Sequence, residues 1–332
     1  MKSEKPIVIV TRGSALALAQ SQMILAACQK KFPKLNFKIK IIKTTGDKLQ
    51  KASMSRIDST LPRGLFTKEL EVALLKKRGD IAVHSLKDLP TELPAGLMLG
   101  AVGGKREDVR DVLIYRDAKF LKKQSSAGTR RGFKAKMALK DFPKGITVAT
   151  SSTRRKAQLL ASRPDFKVVE IRGNVTTRMQ KLFDNPELDA TILAAAGLAR
   201  LNFKITPRGD LKGEGVPDGL LATILEPEQM LPCVGQAAIG IEIRENDERI
   251  AAICAGLNDY NTFQCVIAER AFLRAMGGGC QSPVGAYAEV IGKKIRLRAV
   301  SFLSEKVQRA AAKRPLNEAT KLGEQIAARL KV

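Results

Sequence analysis

The amino-acid sequence predicts an α/β protein with two α/β domains and a small α+β domain at its end. Three observations lead to this prediction. Strand and helix patterns alternate from the start of the chain, and the same alternation begins again at Gly145. After about residue 260 the pattern changes to a helix, two strands and a closing amphipathic helix. A length of 332 residues agrees with two or three domains.

The elements follow one another in a regular order. In the first domain they are a buried strand PIVIVTR, a helix LALAQSQMILAACQKKF, an alternating strand NFKIKIIK, a helix TKELEVALLKK and a short strand DIAVH. The second domain repeats the scheme with GITVAT, TRRKAQLLASR, KVVEIR, NVTTRMQKLF and DATILAA. Such alternation predicts largely parallel strands. The third domain has a helix at 262–276, the strands VGAYAEV and KKIRLRAVSF, and the helical stretch PLNEATKLGEQIAARLKV.

The charge of the chain predicts an anionic ligand. The formal net charge is +25, which attracts polyanions such as nucleic acid or a small polycarboxylate. Aromatic residues make up 5% of the chain and Trp is absent, so stacking surfaces for single-stranded nucleic acid are poorly supplied. The stretch 116–144 has ten Lys or Arg, two Asp and little periodicity, which predicts a basic, mobile loop.

Membrane and secretion signals are not evident in the sequence. No apolar run approaches the roughly 18 residues that a membrane span needs. The start MKSEKPIVIVTRG has too short an apolar run for a signal peptide. A cytoplasmic protein is therefore expected.

The cysteines do not form a disulfide or zinc pattern. There are five of them, an odd number, and no pair has C-x-x-C spacing. Cys28, Cys254 and Cys265 lie in apolar patterns and are interpreted as small core residues. Cys233 fits either a core or a functional role, whereas Cys280 stands in the glycine-rich stretch RAMGGGCQSPVGAYAE.

Polar residues recur where a strand pattern passes into a helix pattern. A helix N-terminus offers free N–H groups, and an adjacent arginine adds a two-pronged donor for carboxylate or phosphate. One such site alone is better explained by ordinary capping. Three at matching positions predict a cleft for a ligand with several negative groups. They comprise Arg12 and Ser14; Ser152, Arg154 and Arg155; and Arg172, Asn174 and Arg178.

The stretch HSLKDLPTELP also follows a strand. Lys87 and Asp88 could place a carboxylate beside a cation for proton transfer, but, taken alone, they are better explained by a surface turn before proline. His84 is the single histidine, so it is interpreted as structural. The aperiodic residues 48–63 are either a lid over the cleft or a surface loop.

Taken together, nine motifs resemble the porphobilinogen deaminase family, also called hydroxymethylbilane synthases, over nearly the whole chain. They are TRGSALALAQ, RGLFTKELEVALL, DIAVHSLKDLP, REDVRDVLI, SSTRRKAQL, IRGNVTTRMQKL, LAAAGLARL, LPCVGQAAIGIE and GGGCQSPVGAYA, in the family's order.

The resemblance implies two domains like those of type II periplasmic binding proteins, flanking a cleft, and an α+β domain that carries a cysteine. The implied limits are 1–108 with 238–256 for the first domain, 109–237 for the second and 260–332 for the third. On this match Cys280 forms a thioether to a dipyrromethane cofactor, which the protein assembles from its own substrate.

The resemblance also implies roles for individual residues. Asp88 matches the catalytic aspartate beside the pyrrole nitrogens. The implied cofactor-binding residues are Cys280, Lys87, Asp88, Ser152, Arg154, Arg155 and Gly197. The implied substrate-binding residues are Arg12, Ser14, Gln20, Phe66, Arg172, Asn174, Arg178, Arg200 and Gln236. No metal is implied.

The implied reaction is the stepwise condensation of four porphobilinogen molecules, with loss of ammonia, onto the covalent primer. Hydrolysis then releases hydroxymethylbilane, a linear tetrapyrrole with eight carboxylates, and an arginine-rich cleft suits so anionic a chain. The implied partners are porphobilinogen and the growing chain, and a monomer is expected. A non-catalytic polyanion-binding protein of the same fold is the alternative.

Two departures from the family's pattern accompany the resemblance. The stretch 116–144 is longer and more basic than the family's usual connection, which leaves a weak nucleic-acid contact open. Thr153 stands where the family commonly has an apolar residue.

Overall fold

The computed structural model describes residues 5–44, 67–123, 130–279 and 281–331. The predicted lid at 48–63, Phe66 and Cys280 therefore lie outside the described residues. None of the helices in the described ranges is long and apolar enough to cross a membrane.

The first sheet combines four strands from the first part of the chain, residues 7–102, with one strand from residues 239–244. Within the described ranges its strands are β1 Ile7–Arg12, β2 Phe37–Ile42, β3 Ile81–Ser85, β4 Leu97–Val102 and β12 Ile239–Arg244. Their order is β2–β1–β3–β12–β4, with β1 parallel to β2 and β3, and β12 antiparallel to β3 and β4. The helices that pack on it are α1 Ala15–Lys31, α2 Lys68–Leu75 and α7 Glu248–Leu257.

A second sheet lies within residues 111–225. Its described strands are β5 Asp111–Arg116, β6 Thr147–Ala149, β7 Lys167–Val169, β8 Ala190–Ala194 and β11 Leu220–Leu225, in the order β11–β5–β8–β6–β7. The accompanying helices are α3 Ala118–Lys122, α4 Thr153–Ser162, α5 Val175–Asp184 and α6 Ala195–Arg200. A short ladder of β9 Lys204–Ile205 and β10 Leu211–Lys212 follows α6.

The two sheets follow one plan. In each, three strands pair in parallel: β2, β1 and β3 in the first sheet, and β7, β6 and β8 in the second. A strand from the segments that connect the two units, β12 in the first sheet and β5 in the second, runs antiparallel beside β3 or β8. The outer strand, β4 or β11, pairs with the other edge of this reversed strand. Four of the five strands in each sheet run in the same direction, as predicted, but the one reversed strand makes two of the four strand pairings antiparallel. The shared plan agrees with two domains like those of type II periplasmic binding proteins. We propose 1–108 with 238–256, 109–237 and 260–332 as the limits of the three domains.

The C-terminal region is a small α+β unit, as predicted. Within 281–331 an antiparallel sheet has the order β13 Val284–Ile291, β14 Lys294–Ser301, β15 Gln308–Pro315. Helices α8 Tyr260–Ala275 and α9 Ala319–Leu330 pack on each other and cover one face of it. Phe272, Leu297, Leu322 and Ile326 are fully buried between the helices and the sheet.

The basic stretch 116–144 is folded onto the second domain where the structure describes it. Arg116 is fully buried and caps the end of α5, because its guanidinium donates to the carbonyls of Leu182 and Leu188. Phe133, Leu139 and Phe142 are buried in the same core as Tyr115 of β5. The prediction of a mobile loop is therefore wrong for the described part, which is an extension of the domain core.

We expect the Phe142→Ala substitution to destabilise the protein by about 3–5 kcal/mol. The Phe142 ring lies 5.1 Å from the Tyr115 ring and 5.0 Å from the Phe133 ring, so its removal leaves a cavity. Urea unfolding measures the loss. Tyr260→Ala is the control, since that side chain is 54% exposed and its removal should change the free energy of unfolding by less than about 0.5 kcal/mol. Equal effects of the two substitutions would show that 116–144 does not support the core.

Candidate active site

Three helices begin with a side-chain cap at the carboxyl end of a strand. In each, the capping oxygen accepts a hydrogen bond from the backbone N–H three residues further on: Ser14, Ser152 and Asn174. The distances are 3.3 Å, 3.4 Å and 2.8 Å, respectively. The sequence prediction of capped helix starts at α1, α4 and α5 is confirmed. At each helix start, backbone N–H groups and the positive end of the helix dipole are available to bind an anionic group.

Asp111, at the start of β5, organises the arginines of the second cap. It is fully buried, and its Oδ2 accepts from Nη2 of Arg154 at 2.8 Å while its Oδ1 accepts from Nη2 of Arg155 at 2.7 Å. Gln236 adds a third hydrogen bond to Oδ1 at 3.0 Å. Burial alone would raise the pKa of Asp111, but the two guanidiniums outweigh burial and hold the pKa well below its usual range. Asp111 is therefore an anion that fixes both arginines.

The same two arginines retain unused donors. Nη1 of Arg154 donates to the carbonyl of Leu231 at 2.7 Å, and Nη1 of Arg155 donates to that of Ile192 at 2.8 Å. Among the described residues, Nε of Arg154 and Nε of Arg155 have no hydrogen-bond acceptor although both atoms are buried. An unpaired buried donor is costly. A ligand carboxylate would satisfy it, so these residues fit a cofactor that carries acetate and propionate groups.

Gly197 lies in α6, and because it has no side chain it leaves open space on the side of α6 that faces α1. A Cβ atom placed on this residue would have Cδ2 of Leu16 as its nearest described neighbour, 4.0 Å away. Leu16 belongs to α1, so the open space lies between a helix of the first domain and a helix of the second. The space fits the backbone approach to a pyrrole ring that the resemblance implies for Gly197.

Lys87 and Asp88 lie in a tight turn after β3. The turn Leu86–Asp88 is anchored by the buried side chain of Leu86, and Asp88 is exposed. Gly235, with φ +71°, passes so close that a Cβ on it would come within 3.2 Å of the Lys87 backbone nitrogen. The turn is therefore held against the crossing segment that leads back to the first domain.

Asp88 and Arg155 both affect the pKa of Arg178, a residue of the second domain. Burial, helped by the neighbouring Arg155, lowers the pKa of Arg178 to about 10, while the Asp88 carboxylate acts in the opposite direction. Nε of Arg178 is fixed by the carbonyl of Gly173 at 2.8 Å. A carboxylate of the first domain thus acts on an arginine of the second.

The remaining predicted residues differ in their surroundings. Gln20 and Gln236 are almost completely buried, and Oε1 of Gln20 accepts from the Ser85 hydroxyl at 3.1 Å. Arg200 is fixed by the carbonyl of Ala237 at 2.6 Å. These three residues therefore have a geometry suited to positioning the site. Arg172 is more open, with 37% of its side chain exposed.

The residue that follows Cys280 is held close to the second cap. The backbone carbonyl of Gln281 accepts a hydrogen bond from Oγ1 of Thr153, the first residue of α4, at 2.6 Å. The backbone N–H of Gly279 donates to Oγ of Ser282 at 3.1 Å. Thr153 thus connects the third domain to the helix that carries Arg154 and Arg155.

Sequence reasoning missed two acidic residues that organise the site. Asp111 stands in the quoted motif REDVRDVLI, but no role follows from its spacing. Glu269 accepts from Arg106 at 2.6 Å and 2.9 Å, from the Gly235 N–H at 2.8 Å and from the Ala288 N–H at 2.7 Å. Its position within the apolar pattern CVIAERAFL was the available signal, because an acidic residue inside a buried helix face needs partners.

His84 and three cysteines have the structural roles that the sequence predicts. Nε2 of His84 lies 3.0 Å from Oε2 of Glu242, and both residues are buried. Cys28, Cys254 and Cys265 are buried in apolar clusters.

These features define a class of protein. Two α/β domains present capped helix starts, an arginine pair with unused donors and an exposed carboxylate, and a third domain brings the backbone of Gln281 to the helix of the two arginines. This is an enzyme of the kind that holds a polyanionic ligand between two domains.

The comparisons with known proteins identify the family. The model "porphobilinogen deaminase, dipyromethane cofactor binding domain" matches residues 7–252, and the model of the porphobilinogen deaminase C-terminal domain matches residues 263–332. The porphobilinogen deaminase of Desulforamulus reducens is 40% identical over 326 residues, which cover 98% of this chain and 94% of that protein. The one from Chlorobium phaeobacteroides is 44% identical over 296 residues, covering 89% and 83%.

The chain therefore belongs to the porphobilinogen deaminase family. It is a transferase of tetrapyrrole biosynthesis that uses a dipyrromethane cofactor and porphobilinogen as substrate. Family membership sets aside the alternative of a non-catalytic polyanion-binding protein.

Solved structures with a similar chain course include amino-acid-binding proteins of transporters. A probable amino-acid ABC transporter extracellular-binding protein from Bacillus subtilis has a TM-score of 0.38 and 13% identity, covering 77% of this chain and 91% of that one. A substrate-binding domain of a putative amino acid ABC transporter from Streptococcus pneumoniae has a TM-score of 0.39 and 9% identity, covering 76% and 92%. The strand orders β2–β1–β3–β12–β4 and β11–β5–β8–β6–β7 define the fold class of this chain.

Proposed function

We propose that Asp88 is the catalytic carboxylate of the condensation. When porphobilinogen loses ammonia, positive charge develops on its pyrrole nitrogen, and a nearby carboxylate stabilises that charge. Asp88 can also accept the proton that is lost after each carbon–carbon bond forms. The observation that carries this proposal is that exposed Asp88 of the first domain lies within electrostatic reach of Arg178 of the second. It supports a carboxylate placed among cations that hold an anionic ligand.

We propose that Lys87, Ser152, Arg154 and Arg155 hold the acetate and propionate groups of the cofactor. When bound, the dipyrromethane supplies the free α-carbon that acts as nucleophile and primer. The unused Nε donors of the two arginines and the capped start of α4 support this assignment. Asp111 keeps the guanidiniums in place before any ligand arrives, so less ordering is needed on binding.

We propose that a second set of residues holds the substrate and the growing chain. Positive charge from both domains offsets the carboxylates that accumulate with each condensation. Buried Gln20, Gln236 and Arg200 would act by positioning their neighbours. The complete set is Arg12, Ser14, Gln20, Phe66, Arg172, Asn174, Arg178, Arg200 and Gln236; Phe66 lies outside the described residues.

We propose that Cys280 anchors the cofactor through a thioether. The hydrogen bond from Thr153 to the carbonyl of Gln281 supports this, because it ties the residue next to Cys280 to the helix of Arg154 and Arg155. Thr153 thus contributes to placing the anchor beside the arginines, although a threonine is a departure from the family's pattern.

The intact mass of the purified protein tests this proposal. We expect the chain to carry an excess equal to one covalent dipyrromethane, and Cys280→Ser to lack it because no thioether can form. Cys28→Ala is the matched control: its thiol is fully buried in the first domain, so the excess should persist. An unmodified mass in a catalytically active preparation would contradict a thioether between Cys280 and the cofactor.

We further propose a monomeric state, a cytoplasmic location and a weak nucleic-acid contact through 116–144. For the last, Arg131 is paired with Asp189 and the guanidinium of Arg130 lies over the Phe183 ring, so part of this charge is used within the domain itself.

A further inference from the structure

Ser151 stands between the end of β6 and Ser152, the capping residue of α4. Its Oγ donates a hydrogen bond to the carbonyl of Ile171 at 2.8 Å and accepts one from the N–H of the same residue at 3.1 Å. Ile171 is only 4% exposed. Both polar backbone groups of this buried residue are therefore satisfied by a single side chain.

These two hydrogen bonds continue the pairing of β6 with β7 beyond the ends of both strands. The ladder itself ends at the pair Ala149 and Val169, and the N–H of Thr150 still donates to the Val169 carbonyl at 2.8 Å. Two residues after Val169, the hydroxyl of Ser151 takes the place of the backbone as the partner of Ile171. The side chain of Ser151 therefore fixes the point at which the chain leaves the sheet.

The segment that leaves the sheet there carries Arg172. On its far side, two residues of α5 hold the same segment. Nζ of Lys181 donates to the Arg172 carbonyl at 3.1 Å, and Nε of Arg178 donates to the Gly173 carbonyl at 2.8 Å. The main chain is thus fastened on both sides of Arg172, by Ser151 before it and by α5 after it.

The side chain of Arg172 is held less firmly than its main chain. Its guanidinium meets the Glu170 carboxylate at 3.3 Å, and 37% of the Arg172 side chain and 72% of the Glu170 side chain are exposed. An exposed ion pair of this kind does little to fix a side chain. The position of the guanidinium therefore depends on the main chain of 171–173, which Ser151 helps to hold.

The Ser151 hydroxyl cannot itself donate to a carboxylate of the ligand. A hydroxyl has one proton to donate, and that of Ser151 is used by the Ile171 carbonyl. What remains is the capacity to accept, which an anionic group cannot use. An effect of this hydroxyl on an anionic substrate must therefore pass through the residues that it positions.

We propose that Ser151 is a positioning residue of the substrate site. It holds the main chain of 171–173 so that the Arg172 guanidinium meets the carboxylates of the substrate or the growing chain. A displacement of about 1 Å can cost up to about 100-fold in rate, so a fixed main chain matters here. This inference rests on the proposed function, in which Arg172 binds the substrate.

A double-mutant cycle on the full-length holoenzyme tests the proposal. We expect Ser151→Ala to lower kcat/KM for porphobilinogen about 10-fold and Arg172→Ala to lower it at least as much. In the double variant the losses should not multiply, and kcat/KM should equal that of Arg172→Ala, because Ser151 then has no binding group left to position. Losses that multiply, or a wild-type value in Ser151→Ala beside a loss in Arg172→Ala, would overturn the proposal.

Two further variants separate the hydroxyl from a general effect on the fold. Ser151→Thr keeps the hydroxyl and should retain most of the wild-type kcat/KM. Ser162→Ala is the matched control at the far end of α4, where an exposed hydroxyl donates to the Leu159 carbonyl at 3.0 Å, and its kcat/KM should not change. Intact mass verifies equal cofactor content in all variants. A loss in Ser151→Thr as large as that in Ser151→Ala would remove the hydroxyl from the positioning role.

Amide hydrogen exchange gives a readout that does not depend on turnover. Because the Ile171 N–H donates to Ser151, exchange in peptides covering 170–174 should become about 10-fold faster in Ser151→Ala and stay unchanged in Ser162→Ala. Unchanged exchange in Ser151→Ala would show that the hydroxyl does not hold the segment. If exchange responds as expected but Arg172→Ala keeps the wild-type kcat/KM, the proposed substrate role of Arg172 is wrong, and the positioning role falls with it.

Discussion

The Asp88→Asn variant is expected to retain the covalent cofactor and to lose turnover by about 100-fold or more. Asparagine preserves the size of the side chain but removes its negative charge and its capacity to accept a proton. Because Asp88 is exposed at the end of a turn that Leu86 anchors, the substitution should leave the fold unchanged. Turnover of porphobilinogen measures the effect, and intact mass verifies that the cofactor is present.

Glu92→Gln is the matched control for Asp88. Glu92 is an exposed carboxylate four residues further along, so its removal changes the net charge equally without touching the proposed centre. Its turnover should stay near that of the wild type. Near-normal turnover of Asp88→Asn would remove this residue from the catalytic role.

The second large effect is expected at Asp111. The Asp111→Asn variant leaves the guanidiniums of Arg154 and Arg155 buried without their carboxylate, and such uncompensated charge costs about 3–5 kcal/mol. Urea unfolding measures the loss. Asp165→Asn is the control, because Asp165 pairs with Arg163 at the surface and its removal should leave the unfolding midpoint nearly unchanged. Similar midpoints for the two variants would contradict the role of Asp111.

The free energy of unfolding should also depend on pH in a way that is specific to Asp111. The folded-state pKa of Asp111 is held well below its ordinary value by the two arginines, against the effect of burial. Its contribution is therefore complete above the unfolded pKa of roughly 3.9 and is lost as pH falls below that value. From about pH 4 downwards, the wild type should lose free energy of unfolding more steeply than Asp111→Asn does. Parallel curves would contradict this.

Local sequence patterns were sufficient to predict the parts of the site that depend on neighbouring residues. Ser14, Ser152 and Asn174 act as caps because a short polar side chain before a helix has few better uses. The interpretation of His84 as structural follows from its being the single histidine of the chain. The role of Cys280, in contrast, came from resemblance, and the structure describes only its neighbours.

Two of the missed features depend on residues that are distant in sequence. Asp111 meets Arg154 across 43 positions, and Glu269 meets Arg106 across 163, so no local spacing predicts either pair. The strand β15, QRAAAKRP, lacks the apolar alternation of a half-buried strand, because it lies at the edge of its sheet and exposes every second residue. The aromatic packing of 133–142 was hidden by the many lysines around it.

The crossing strands have a consequence for how the protein folds during synthesis. Strand β4 ends at Val102, yet its only partner among the described strands is β12, which is made more than a hundred residues later. Until residue 244 has been synthesised, β3 keeps an open edge and β4 has nothing to pair with. Such distant pairing slows folding and exposes strand edges to aggregation. The first domain of the sequence is thus completed only after the whole second domain has been made.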